Sequence, residues 1–363
     1  MNAPSDPRNN NFDFLRFFAA STVVFGHSFW LSGRGASEPV RLFTGSYDGA
    51  DIAVHLFFVM SGYLIAASWL NSRSLIDFAG KRALRIFPAL AVAVLFGVLV
   101  VGPLATRLPL ADYWSEPQTL GYLGNIALLT QFQLPGVFVD NPFPNTVNGS
   151  LWTLPYEVMM YVSVVLLGVL GLFRRRMALL GLAMLFAIQF YLIPALDLQS
   201  ELLRKFSRLG VFFYFGAVLY LYRQRIRWSW KIAVPLLAAS LLSAGHDIWP
   251  LVHALTLPYL VIYLAHLRIP ALAGFGKAGD FSYGLYIFSF PLQQLLMHWS
   301  AGSLPLLPFM LLGFSASLLA AVLSWHLIEA PALALKRHLP RGVRRATQPR
   351  PALAGTATVR RIP

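Results

Sequence analysis

The sequence predicts an all-α, polytopic transmembrane bundle of about ten spans, with both termini in the cytoplasm. Three observations carry this. Of 363 residues, 57% are hydrophobic and only 12% charged, about half the charged share of a soluble domain, and the mean hydropathy is +0.60. The apolar residues come in runs approaching the ~20 needed to cross the hydrocarbon as a helix. The basic residues collect in every second loop. An ordinary soluble enzyme and a disordered chain are thereby excluded. Cysteine is absent, so disulfides, thiolate chemistry and cysteine-ligated metal centres are excluded too.

The spans are expected at about 12–32, 50–70, 84–104, 150–173, 177–194, 207–222, 232–246, 250–266, 281–299 and 304–328. Basic residues punctuate them in order. Arg8 precedes the first span. Arg73, Lys81, Arg82 and Arg85 lie between the second and third, and Arg174, Arg175 and Arg176 between the fourth and fifth. Arg223, Arg225, Arg227 and Lys231 separate the sixth and seventh, and Arg268 and Lys277 the eighth and ninth. A run from Lys336 to Arg361 follows the tenth. The alternate loops hold only Arg34, Arg41, Arg107, Arg204, Lys205 and Arg208, together with most acidic residues. The excess of Lys and Arg marks the cytoplasmic side. It also accounts for the net charge of +14 without nucleic-acid binding.

Residues 119–134 are apolar enough to suggest a further span, but a crossing there would move every later basic loop outside. They are therefore expected as an interfacial or re-entrant helix. The first apolar run carries Arg16 and His27 and reads as a span, not a signal peptide. Asn148-Gly149-Ser150 fits a glycosylation acceptor, a triplet common by chance. Residues 1–11 are expected as a cytoplasmic N-tail, 12–333 as one membrane domain, and 334–363 as a basic, disordered cytoplasmic C-tail.

Ionisable residues within spans are costly and become functional candidates. Arg16 and His27 are eleven residues apart, about 20° past three full helical turns, so they share one face about 16 Å apart. Asp13, three residues before Arg16, can pair with it. The alternative is a snorkelling arginine and an interfacial histidine. Glu157 is the one acidic residue well inside a span. It needs a partner, and His27, expected at similar depth, is the obvious one: a carboxylate beside a histidine supports a general base. A structural glutamate bonded to backbone or tyrosine is the competing reading. Arg82 and Arg85 meet on one face at a helix start, where cations oppose the helix dipole and invite an anion. Asp51 and His55 lie one turn apart on the second span, followed by Ser61 and Gly62, small enough for close helix packing. Glu329 follows the tenth span, and its structural reading is a carboxylate at the inner interface that pairs with an arginine or lysine. The histidines show no metal-ligand spacing.

An early arginine with histidine eleven residues on, then FFVMSGYLI, KRALRIFP, SLWTLPYE, FSYGLYI and LIEAP in this order, resembles the acyltransferase 3 family over about residues 12–333. The resemblance implies a bacterial cytoplasmic-membrane enzyme that takes an acyl group, usually acetyl, from cytoplasmic acyl-coenzyme A. The acceptor it implies is a hydroxyl of a surface glycan or lipid-linked oligosaccharide; no bound cofactor is expected. His27, Glu157 and Asp13 form the expected catalytic set, and Arg16, Arg82 and Arg85 the expected donor-binding set. Asp51, His55, Ser61, Gly62, Trp152 and Tyr283 are expected on the acceptor side or lining the pore. Two positions depart from the family pattern: His55 stands where many members carry aspartate, and Ser289 where many carry histidine. The fused hydrolase-like domain of some members is not seen. The rival readings are a multi-span carrier of organic anions and a flippase of lipid-linked glycans without chemistry of its own.

Overall fold

A computed structural model describes residues 10–339 apart from 73 and 273. Most of the expected N-tail with Arg8, Arg73, and the expected tail beyond Leu339 lie outside the described residues. Ten long helices stand where the ten spans are expected. They are α1 (Phe12–Leu31), α2 (Gly49–Asn71), α3 (Leu75–Ala105), α4 (Gly149–Val169), α5 (Arg175–Ala195), α6 (Glu201–Tyr222), α7 (Trp230–Leu242), α8 (Trp249–His266), α9 (Ser282–Trp299) and α10 (Leu306–His338). Among the described residues there is no strand, and the β-type pairing is an isolated bridge, Thr106 to Val137.

Seven of these helices, α1 to α5, α8 and α10, are long and apolar enough to cross a membrane. The other three fall short for identifiable reasons. α6 begins with Glu201, Arg204, Lys205 and Arg208. α9 buries Ser282, Ser289, Gln293 and Gln294 against its neighbours. α7 has 13 residues, about 20 Å against ~30 Å of hydrocarbon.

Short polar side chains start several helices by accepting from the free N–H groups of the first turn. Asp48 accepts from Asp51 N at 2.8 Å, Ser74 from Asp77 N at 3.1 Å and Asn148 from Ser150 N at 3.1 Å. The same Asn148 side chain donates to Ile287 O at 2.8 Å and is buried. Its place in a glycosylation triplet therefore has a structural use.

The helices alternate in direction. At one end Asn11 Nδ2 donates to Leu264 O (2.8 Å) and Leu267 O (2.7 Å), joining the start of α1 to the end of α8. Arg175 Nε donates to Leu221 O at 3.0 Å, and Leu339 packs on Gly80. At the other end Trp30 Nε1 donates to Asp48 Oδ2 at 2.6 Å, Gly245 N to Thr44 O at 3.2 Å, and Asn141 Nδ2 to Gln294 O at 2.9 Å. Asn11 and Leu339 thus lie at the same end as Arg82 and Arg85.

Residues 106–148 form a long connection at the opposite end. Its helices Leu110–Ser115, Pro117–Gly121 and Tyr122–Ala127 are too short to cross, so 119–134 is not a span. Tyr113 and Tyr122 are fully buried. Asn125 holds the chain reversal by donating to Tyr122 O and Gln131 O, both at 2.9 Å.

α2 and α6 make a close crossing. A Cβ at Gly62 would overlap the Phe213 carbonyl, and one at Gly216 the Val59 carbonyl. Backbone on both sides leaves no room to adjust, so overpacking should cost about 1–3 kcal/mol or more. Gly216→Val is expected to lower the thermal unfolding midpoint in detergent clearly. Gly181→Ala is the control: no atom lies within 4 Å of the place its methyl group would take, and helix propensity favours alanine. Equal midpoints for the two variants would contradict this crossing.

Candidate active site

A cavity of about 120 Å³ lies among α1, α2, α3, α4 and α9. Its polar lining comprises Arg16, Ser61, Arg82, Arg85, Thr153, Glu157, Tyr161, Ser282, Tyr283 and Tyr286; Val54, Phe57, Phe58, Leu64, Ile65, Ile86 and Leu154 supply the apolar walls. The three arginines expected to act together are therefore brought together by the fold.

Their surroundings differ. Arg85 donates from Nη2 to Asp280 Oδ2 at 2.6 Å and from Nη1 to Glu329 Oε2 at 3.2 Å. Its guanidinium carbon lies 5.6 Å from the Tyr283 ring centre, a favourable cation–π placement. Arg16 Nη1 lies 3.4 Å from both Asp13 Oδ1 and Asp280 Oδ2. Arg82 Nε is buried with no hydrogen-bond partner among the described residues. The pairing expected for Glu329 is present. Its carboxylate ends a π-helical turn, Trp325–Glu329, and accepts from Ser324 Oγ at 2.9 Å.

Asp280 is the residue that sequence reading missed. It joins α1, α3 and the start of α9, accepting from Arg16, Arg85 and the Ser282 hydroxyl. The signal available was its position: a lone carboxylate after basic Lys277 and directly before FSYGLYI. Burial alone would raise its carboxyl above the ordinary 3.8, but the Arg85 and Arg16 guanidiniums and Ser282 outweigh burial and hold it below.

Glu157 does not meet His27. It accepts from the Tyr161 hydroxyl and lies 3.4 Å from Ser61 Oγ, which is 3.2 Å from Tyr161 Oη. The depth expectation fails because Gly149, where α4 starts, already packs on Phe290 of α9, away from the ends. Glu157 therefore reaches the level of Arg16. His27 is three turns further along α1, about 16 Å away. It does not line the cavity; its ring meets Phe290 edge-on at 5.1 Å, and its Nδ1 is buried without a hydrogen-bond partner among the described residues. Asp13 serves Arg16, not His27.

Of the expected acceptor or pore residues, Ser61 and Tyr283 line the cavity. Tyr283 donates to Ile86 O at 2.9 Å. Gly62 faces α6 and is a packing residue. His55 turns away too: its Nδ1 lies 3.2 Å from His253 Nε2, and Phe212 stacks on it at 4.1 Å. Asp51 lies 4.0 Å from Arg208 Nη2, and Trp152 sits 4.9 Å from Lys205 Nζ. Ser289 is buried, 3.4 Å from Tyr286 O. Among the described residues no group of three or more His, Asp and Glu side chains could hold a metal.

Helices long and apolar enough to cross a membrane, α1 to α4, thus enclose with α9 a cavity in which three guanidiniums cluster. Residues 9–326 match the acyltransferase domain that defines the acyltransferase 3 family, and the chain belongs to that family. An O-acetyl transferase of Shigella phage Sf6 is 29% identical over 337 residues, covering 89% of this chain and 95% of the relative. Nodulation protein 10 of Rhizobium leguminosarum bv. viciae is 27% identical over 383 aligned positions, covering 93% and 97%. No solved structure matches. The chain is therefore a helical membrane acyltransferase, and the readings without acyl-transfer chemistry fall away.

Asp280→Asn should destabilise the protein by about 3 kcal/mol, because two arginines lose their shared buried counter-charge. The lowered carboxyl also sets a pH dependence. Its stabilisation is present above the ordinary 3.8 and is lost as pH falls through the lower folded value. Unfolding followed against pH should show the wild type losing this part of its stability below about pH 4, and the Asn variant lacking that portion of the slope. Matching profiles would remove Asp280 from the centre of the network.

Proposed function

We propose that this acyltransferase moves an acetyl group from cytoplasmic acyl-coenzyme A to a hydroxyl of a surface or exported glycan, acting in the bacterial cytoplasmic membrane with both termini inside. The observation that carries the reading is the convergence of Arg16, Arg82 and Arg85 on one cavity. Planar guanidiniums suit the phosphates of such a donor. Arg82 is the first anchor, since its buried Nε lacks a partner among the described residues, while Arg16 and Arg85 are already held by carboxylates. The relative named an O-acetyl transferase supports both the acetyl group and transfer to oxygen.

The donor's long flexible arm spans the three turns from Arg16 to His27. There His27 takes the acceptor hydroxyl's proton as its oxygen attacks the thioester carbonyl. The carbon–sulfur bond breaks, and the proton passes to the departing thiolate. The unpartnered Nδ1 of His27 supports this role: a substrate hydroxyl would supply the hydrogen bond it lacks. Glu157, bonded to Tyr161 in the cavity that Arg16 also lines, acts on the donor and not on His27. Asp13 and Asp280 position the arginines.

His27→Ala should lower transfer at least a hundredfold while protein yield and unfolding midpoint stay near wild type. The measurement is mass spectrometry of the glycan after reaction with acetyl-coenzyme A; normal acetylation would remove His27 from the chemistry.

Arg82→Gln disrupts no ion pair seen among the described residues, so it probes donor binding cleanly. The KM for acyl-coenzyme A should rise about tenfold, about 1.4 kcal/mol, with acceptor KM little changed. An unaltered donor KM would leave Arg82 to lipid headgroups.

A further inference from the structure

The end of the bundle opposite Arg82 and Arg85 carries a cationic recess that the donor chemistry does not use. Arg204, Lys205 and Arg208 occupy the first two turns of α6. Cations there oppose the helix dipole, and Arg204 and Arg208, one turn apart, repel each other. Glu201 offsets Lys205 at 2.5 Å. Arg208 has only Asp51 as an ion-pair partner among the described residues, at 4.0 Å, beyond hydrogen-bond reach. Its Nε is buried with no hydrogen-bond partner among those residues.

Aromatic rings wall this recess. The Arg208 guanidinium carbon lies 5.7 Å from the Tyr47 ring centre, and Lys205 Nζ 4.9 Å from that of Trp152. Trp152 meets Tyr156 edge-on at 5.8 Å. All five side chains are half-buried, so the site is recessed yet open. Trp152 and Tyr156 sit beside Thr153 and Glu157 on α4, making that helix a wall shared with the donor cavity.

We propose that this recess binds the acceptor, and that the acceptor is an anionic saccharide, one bearing a carboxylate or phosphate on a sugar. The proposal rests on the acyl-transfer reading above. Arg208 offers a planar fork to the anion, Lys205 adds a second charge, and Asp51 accepts from sugar hydroxyls. The rings of Tyr47 and Trp152 provide apolar faces with a polar edge, suited to sugar C–H faces. An anion would relieve the opposed dipole, the repulsion within α6 and the orphaned Arg208 Nε together.

The test is binding of a glucuronate-containing oligosaccharide, and of its carboxyl-reduced counterpart, to the full chain in phosphatidylcholine nanodiscs without acyl donor. The acidic form should bind at least tenfold more tightly. Arg208→Gln should abolish the difference, and Arg208→Lys should retain part of it. Equal affinities for the two oligosaccharides would overturn the proposal, as would an unchanged preference in a folded Arg208→Gln protein. Arg208-dependent enrichment of phosphatidylglycerol from mixed nanodiscs, without glycan preference, would assign the recess to lipid headgroups and overturn it as well. Donor-dependent transfer to any hydroxyl acceptor, measured separately, tests the acyl-transfer reading. Failure of one is therefore distinguishable from failure of the other.

Discussion

A guanidinium or carboxylate held among membrane helices must find its opposite charge, because the surrounding hydrocarbon offers no water to replace it. Here one carboxylate meets that demand for two helices at once. Asp280 faces Arg85 of α3 and Arg16 of α1, while Glu329 of α10 takes the second edge of the same Arg85. Four segments far apart in sequence are thereby held at a common level. The cavity lies beside this network, lined from α1, α3 and α9 and, across it, from α2 and α4.

The same network explains why the three arginines are not equivalent. Arg16 and Arg85 hold shape because their charges are already matched. Arg82, on the same face of α3, keeps a buried Nε without a partner, and so does His27 at Nδ1 and Arg208 at Nε. These are three of the five buried orphan atoms among the described residues. Buried polar groups are normally satisfied, and departures gather where a protein meets a ligand. The three lie at the cavity, beside Phe290 and in the recess of α6.

Around these positions the helices pack closely. Gly62 and Gly216 let α2 and α6 touch through their backbones, so the helix carrying Ser61 cannot slide against the helix carrying Arg208. The connection 106–148 seats the start of α4 against Phe290, which carries Glu157 into the cavity lined by Arg16, Arg82 and Arg85. A buried imidazole pair, His55 with His253, stands behind α2 and faces away from the cavity.

Much of this was legible along the chain. Hydrophobic runs located all ten helices, and the alternation of basic loops matches the alternation of helix directions. Helical geometry placed Asp13 on Arg16 and set Arg82 and Arg85 on one face, since residues three or four apart meet whatever the rest of the fold does. Small residues at 61 and 62 announced a close crossing. The tertiary structure alone decided the rest. Asp280 is an ordinary loop residue until two arginines from other helices reach it. Glu157 and His27 share no level, because the depth at which α4 begins depends on how 106–148 folds back into the bundle. His55 finds His253 across 198 positions of chain, and α9 falls short of an apolar span because neighbouring helices, not lipid, accept its polar face. Periodicity is a property of one helix, whereas depth, rotation and partnership are properties of its neighbours, and a local pattern cannot encode them.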